Sequence, residues 1–129
     1  MVEILSQKKQ KKTFIGFHGI ADIRGVDQKK LKDPNFLMDN LRDSLIHSSF
    51  TILEEKVLKF PGIDSGVTGF FILSESHAAF HSYPEYEYIS LDIFSCGLAS
   101  PFDAIKYFSK LINAKNFEID SIERGLNIA

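Results

Sequence analysis

An α+β two-layer sandwich is the fold this sequence predicts, a mostly antiparallel sheet with two helices on one face in the order β-α-β-β-β-α-β. Three observations carry that expectation. Apolar runs with strand-like alternation recur along the chain. Two segments join a helix-start signal to an apolar stripe at helical spacing. The connections between strands read as turns rather than long crossovers.

Residues 13–23 (TFIGFHGIADI) form the first strand, alternation placing Phe14, Gly16, His18, Ile20 and Asp22 on one face. Gly25 and the polar stretch to Lys32 follow as a loop. Asp33-Pro34 then starts a helix, the aspartate as N-cap and the proline at the first helical position, where its missing N–H costs nothing. Leu37, Leu41 and Leu45 recur every four residues, with Met38 and Ile46 widening the stripe that this helix buries. Residues 50–58 read as a second strand, PGIDSG at 61–66 as a turn, and VTGFFIL at 67–73 as the third strand. In residues 88–96, Ile89, Leu91 and Ile93 share one face, while Ser90, Asp92, Phe94 and Cys96 share the other. Ser100-Pro101-Phe102-Asp103 caps a second helix that runs into Ala104, Ile105, Phe108, Leu111 and Ile112. Residues 116–122 supply the last strand.

A chain of 129 residues builds one core, so residues 13–129 are expected as a single domain. Ahead of it, residues 1–12 read as a flexible basic tail carrying the run KKQKK. A net charge of -2 and a pI near 6.1 argue against a nucleic-acid partner. No apolar run approaches the ~20 residues of a membrane span. The start, MVEILSQKKQ, lacks the basic-then-apolar pattern of a secretory signal. One cysteine rules out an internal disulfide and suits a cytoplasmic protein.

Against this background, residues 74–85 (SESHAAFHSYPE) gather serines, histidines and glutamates between two apolar strands. Zinc is one chemistry to weigh, because His77 and His81 are spaced H-x3-H and Cys96 is a soft ligand. The Cys-x2-Cys half of a structural site is missing, and a catalytic site needs distant His18 or a carboxylate; no metal site is expected. A serine hydrolase asks for a G-x-S-x-G turn, and S-E-S-H has no flanking glycines. The plainest reading makes both histidines satisfied strand residues and Cys96 a buried small hydrophobe.

The order of residues points elsewhere. E-S-H-x3-H from Glu75 to His81, then Y-P-E at 83–85 and F-S-C-G at 94–97, resembles the bacterial and archaeal S-adenosylmethionine decarboxylases. These small pyruvoyl enzymes carry E-S-H-x3-H-T-W-P-E and a strand ending F-T-C-G. The resemblance is dense from Gly66 to Gly97 and collinear beyond.

It implies a proenzyme that cleaves itself between Glu75 and Ser76. The serine hydroxyl attacks the Glu75 carbonyl, the amide becomes an ester, β-elimination breaks the chain, and the former Ser76, losing its nitrogen as ammonia to water, becomes a pyruvoyl group. Such an attack needs oxyanion donors and a strained bond. By the same resemblance His81 is the processing histidine, and Thr68 stands where the family has a serine whose hydroxyl assists. Alternation sets Ser76 and His81 on opposite faces of an ideal strand, so either the chain kinks at the scissile bond or His81 serves through a neighbouring strand. The pyruvoyl carbonyl takes the substrate amine as a Schiff base, and Cys96 donates the proton that replaces carbon dioxide; no pyridoxal phosphate is called for. Phe60 and Tyr83 are the implied adenine-stacking rings, and Glu85 the partner of the ribose hydroxyls.

Two departures bear on the substrate: Tyr83 replaces the usual tryptophan, and Arg24 replaces an apolar or aromatic residue. Some family members decarboxylate arginine or ornithine, whose distal cation asks for a carboxylate such as Asp22 or Glu85. The expected activity is thus S-adenosylmethionine decarboxylation in spermidine synthesis, with arginine or ornithine decarboxylation as the alternative. An inactive relative that binds and regulates an active paralogue is the remaining reading, against which the intact E-S-H…H…C set counts. The expected partners are a small-molecule substrate, the chain's own cleaved fragment and a second processed protomer.

Overall fold

A computed structural model describes residues 13–128 of the chain. The basic run at Lys8 to Lys12 lies outside those residues. Six strands form one antiparallel sheet: β1 (Gly16–Arg24), β2 (Ile52–Lys59), β3 (Val67–Leu73), β4 (Ser76–Tyr83), β5 (Tyr88–Ser95) and β6 (Asn116–Arg124). Their order across the sheet is β2-β3-β4-β5-β1-β6. Three helices accompany them: short α1 (Gln28–Leu31), α2 (Pro34–His47) and α3 (Pro101–Leu111). The α+β class stands as read, with two additions. Residues 76–83 are a full strand rather than a polar insert between strands, and part of the expected loop before Lys32 is the helix α1.

Both long helices start where the sequence places them. Asp33 Oδ1 accepts the Phe36 N–H at 3.1 Å, and Ser100 Oγ accepts the Asp103 N–H at 3.2 Å. Each cap satisfies a donor that the first helical turn leaves open. Leu37, Leu41 and Leu45 of α2, with Ala104, Ile105 and Phe108 of α3, are fully buried.

Alternation decides the rest of the packing. Ala21 and Ile23, Val67 and Phe71, Ala78 and Phe80, and Ile89, Leu91 and Ile93 turn to the helices and close the core. Ser82 shares that face, donating to the Leu31 carbonyl at 2.7 Å and accepting the Val67 N–H at 2.8 Å. This buried hydroxyl therefore ties α1, β3 and β4 together. Among the described residues, no helix covers the opposite face. It presents His18, Ile20 and Asp22 from β1, Asp92 and Phe94 from β5, His77 and His81 from β4, and Thr68, Phe70 and Ile72 from β3. Ile20, Leu58, Phe70, Ile72 and Ile122 leave that face substantially apolar and exposed.

Candidate active site

The turn between β3 and β4 holds the candidate scissile bond. Leu73 pairs with Ser76, so only Ser74 and Glu75 cross from one strand to the next. Glu75 has φ +59°, in the left-handed region that costs a residue with a side chain of order 1 kcal/mol or more. Strain thus lies on the residue just before Ser76, as the expected attack on its carbonyl requires. Ser76 Oγ accepts the backbone N–H of Cys96 at 3.3 Å, so the serine and the cysteine are neighbours across β4 and β5. A cleft of ≈ 680 Å³, lined by Thr51, Ser74, Glu75, Ser76, Ser95 and Ser100 among others, opens beside this turn.

His81 is elsewhere. Its Nδ1 lies 2.8 Å from Thr68 Oγ1, joining the two residues already aligned as a cross-strand pair. The G-V-T-G run explains how β3 comes that close. A Cβ on Gly66 would lie 2.0 Å from the Ser82 carbonyl, and one on Gly69 would lie 2.1 Å from the Phe80 ring. From Ser76, His81 is five residues along an extended strand, ~16 Å at the usual rise, and on the other face by alternation. No kink at the scissile bond closes this distance within one chain, since β4 begins at Ser76 and runs unbroken to Tyr83.

The substrate-binding candidates share the His81 end. Tyr83 is partly exposed and stacks on Tyr88, ring centroids 5.4 Å apart. Phe60 is the half-exposed residue just after β2, its N–H bonded to the Gly66 carbonyl. Glu85 lies in the 3₁₀ turn Pro84–Tyr86 that follows β4. The site residues therefore fall into two groups. Glu75, Ser76 and Cys96 stand at one end of β4; Thr68, His81, Tyr83, Glu85 and Phe60 stand toward the other.

Asp22 and Arg24 are engaged with one another's surroundings. The Tyr88 hydroxyl donates to Asp22 at 2.5 Å, and Arg24 reaches Asp22 at 3.7 Å and Glu118 at 3.1 Å. Burial, then the bond to Asp22, pushes the Tyr88 phenol up to about 12, so it remains a donor. The zinc set weighed from H-x3-H spacing does not converge: His77 and His81 are four residues apart on one strand, ~13 Å. His77 instead meets two residues that spacing does not link to it. His18 Nε2 lies 3.0 Å from Asp92 Oδ2, and His77 Nε2 lies 3.9 Å from the same oxygen. Alternation gives the face of each, but only the pairing of β1 and β4 with β5 brings the three together.

Fold and site define a class: a small two-layer α+β protein whose candidate reactive serine follows a strained hairpin turn. The particular family is clear from its relatives. The chain belongs to the S-adenosylmethionine decarboxylase family, whose model matches residues 17–125. It is 35% identical over 113 residues to an S-adenosylmethionine decarboxylase proenzyme of Clostridium tetani, covering 87% of this chain and 88% of that one. A proenzyme of the same name from Anoxybacillus flavithermus is 35% identical over 112 residues, 87% and 89% of the two chains. The crystal structure of the adenosylmethionine decarboxylase of Aquifex aeolicus superposes with a TM-score of 0.79 at 25% identity, over 88% of this chain and 92% of that one.

Proposed function

We propose that this protein is a cytoplasmic, self-processing pyruvoyl-dependent carboxy-lyase that converts S-adenosylmethionine to its decarboxylated form and carbon dioxide, for polyamine synthesis. The observation that carries the reading is the strained Glu75 beside Ser76, with the Cys96 amide on the Ser76 hydroxyl. Family membership supports it independently.

The residues present fit a pyruvoyl group at position 76, because the cleft beside the turn leaves room for a substrate there. When formed, that group supplies a carbonyl that binds the substrate amine and takes up the electrons left by carbon dioxide. The chain's own residues do the rest. Thr68, paired with the His81 imidazole, assists the attack on the Glu75 carbonyl; His81, a group suited to proton transfer near neutrality, removes the Ser76 α-proton. Cys96 holds a thiol proton at the end of β5, beside residue 76, for delivery to the substrate Cα. Tyr83 and Phe60 offer faces for the base and for the sulfonium charge, and Glu85 accepts from the ribose hydroxyls.

The same geometry supports a homodimer. Ser76 and His81 lie too far apart to meet in one protomer, and no described residue covers the apolar face opposite the helices. In this reading a second copy packs on that face about a two-fold axis and brings its own Thr68, His81 and Tyr83 toward the Ser76 end of the first. Each site is then shared between two chains.

The nucleoside is favoured over arginine or ornithine by Asp22. Tyr88 and Arg24 already engage that carboxylate, so it is not free to take a substrate's distal cation. The test is direct. Mass spectrometry under denaturing conditions is expected to find one fragment ending at Glu75 and another blocked by a hydrazine-reactive carbonyl, with Ser76→Ala uncleaved. A single intact chain after long incubation overturns the enzyme reading. Carbon dioxide release is expected from S-adenosylmethionine in a panel with arginine, ornithine and lysine. Release from an amino acid alone overturns the substrate and leaves the processing standing.

A further inference from the structure

We propose that His18, His77 and Asp92 form a site for a divalent transition-metal ion of the zinc or cobalt type on the open face of the sheet. One ligand comes from each of three adjacent strands, β1, β4 and β5. His18 and His77 are both register partners of Phe94 and flank it, while Asp92 stands two residues along β5 on the same face. The two imidazole nitrogens and one carboxylate oxygen all lie within 4.8 Å of one another. Around a four-coordinate ion, with bonds of ~2.0–2.2 Å, ligand atoms sit ~3.3–3.5 Å apart. The separations from Asp92 Oδ2, 3.0 Å and 3.9 Å, bracket that value, so small side-chain rotations close the set without moving a strand.

The surroundings hold the ligands in place. The His18 and His77 rings meet edge to face at 5.7 Å, each lies within 5.7 Å of the Phe94 ring, and Phe70 stacks on His77 at 6.0 Å. These aromatic walls restrict imidazole rotation, so both Nε2 atoms are directed toward the one carboxylate. Two imidazoles and one carboxylate suit zinc or cobalt rather than magnesium or calcium, which prefer all-oxygen shells. The His77 and Asp92 side chains remain 36% and 40% exposed in the single chain, which leaves a fourth position for water or another ligand.

An ion here ties strand β4 to β1 and β5 one residue beyond Ser76. After cleavage His77 is the second residue of the new fragment, so the ion would anchor its free end. That role rests on the processing proposed above; the binding does not, and uncleaved Ser76→Ala protein is expected to bind the ion equally well.

The test uses tag-free, full-length protein stripped with a chelator, titrated calorimetrically with Zn²⁺ and by visible absorption with Co²⁺. One ion per chain is expected, with Co²⁺ ligand-field bands and no thiolate charge-transfer band. Asp92→Asn, which preserves shape and hydrogen bonding, and His18→Ala are expected to weaken binding at least ~10-fold. His47→Ala, on α2, is expected to leave it unchanged. Absence of saturable uptake, a thiolate band that names Cys96 as a ligand, or wild-type affinity in Asp92→Asn would each overturn the site.

Discussion

At the scale of single residues, the candidate chemistry depends on backbone groups as much as on side chains. Glu75 concentrates strain beside the candidate scissile bond, and the Cys96 amide fixes the Ser76 hydroxyl rather than leaving it to rotate. Gly97, the next residue along, leaves open space where a side chain would stand, so the chain just past β5 is uncrowded beside Ser76. The roles assigned to Cys96 and His81 predict a separation of processing from turnover. Cys96→Ala is expected to cleave, since cleavage has its own histidine, yet to lose ~10²–10⁴-fold in turnover once processed. Mass spectrometry paired with a carbon dioxide assay on the cleaved fraction checks this. Near-normal turnover in cleaved Cys96→Ala protein would remove Cys96 from the mechanism.

Among elements, edge strand β2 is held by its backbone ladder to β3, and toward α2 more by charge than by burial. Most of its residues are exposed, and its link to α2 is the Arg42 guanidinium, whose Nη2 and Nε both donate to Glu55, at 2.5 and 3.0 Å. The Arg42 hydrogen bonds, followed by its charge, hold the Glu55 carboxyl below the usual glutamate range despite some burial. A carboxyl depressed in the folded state adds stability above its unfolded pKa and loses it as pH falls through the folded value. Glu55→Gln is therefore expected to cost ~0.2–1 kcal/mol at neutral pH, the ordinary range for a surface pair. The difference from wild type is expected to shrink below pH ~4, where the unfolded carboxyl takes up its proton, and to vanish once pH falls below the folded value. Asp39, also bonded to Arg42, retains the cation in the variant and keeps the loss small. Urea melts of the two proteins across this range decide it; a gap that persists in acid would show that packing, not charge, joins α2 to β2.

For the whole molecule, the decisive fact is that β4 carries candidate site residues at both ends. Seven steps from Ser76 to Tyr83 span ~23 Å, more than any side chain bridges. A shared site in a two-fold dimer predicts complementation. Ser76→Ala and His81→Ala chains, each expected to stay uncleaved alone, are expected to yield a cleaved His81→Ala chain when co-expressed. In the mixed dimer that chain supplies Ser76 while its partner supplies His81. Mass spectrometry distinguishes the two chains, and cleavage of neither would sink the shared site.

Most of the local alphabet of the fold was legible in the chain. Asp33-Pro34 and Ser100-Pro101 start helices because capping uses residues within one turn, and alternation in residues 88–96 sorts core from open face because a strand repeats every two residues. The same local order carried the motif E-S-H-x3-H with its later cysteine, hence the family and the candidate bond at Glu75–Ser76. What the sequence hid was long-range. Residues 76–83 mix polar groups into a strand, since one face of β4 looks outward, and this masked the strand within the motif. Which strand lies beside which is set by pairing across the sheet, and only that register placed His18 and Asp92 beside His77, 59 and 15 positions away in the chain. The rise along β4 parted His77 from His81, which spacing had joined. A strand's rise separates near neighbours quickly, while its lateral bonds bring distant residues within 5 Å; for that reason the tertiary structure alone decided which reactive groups share a site.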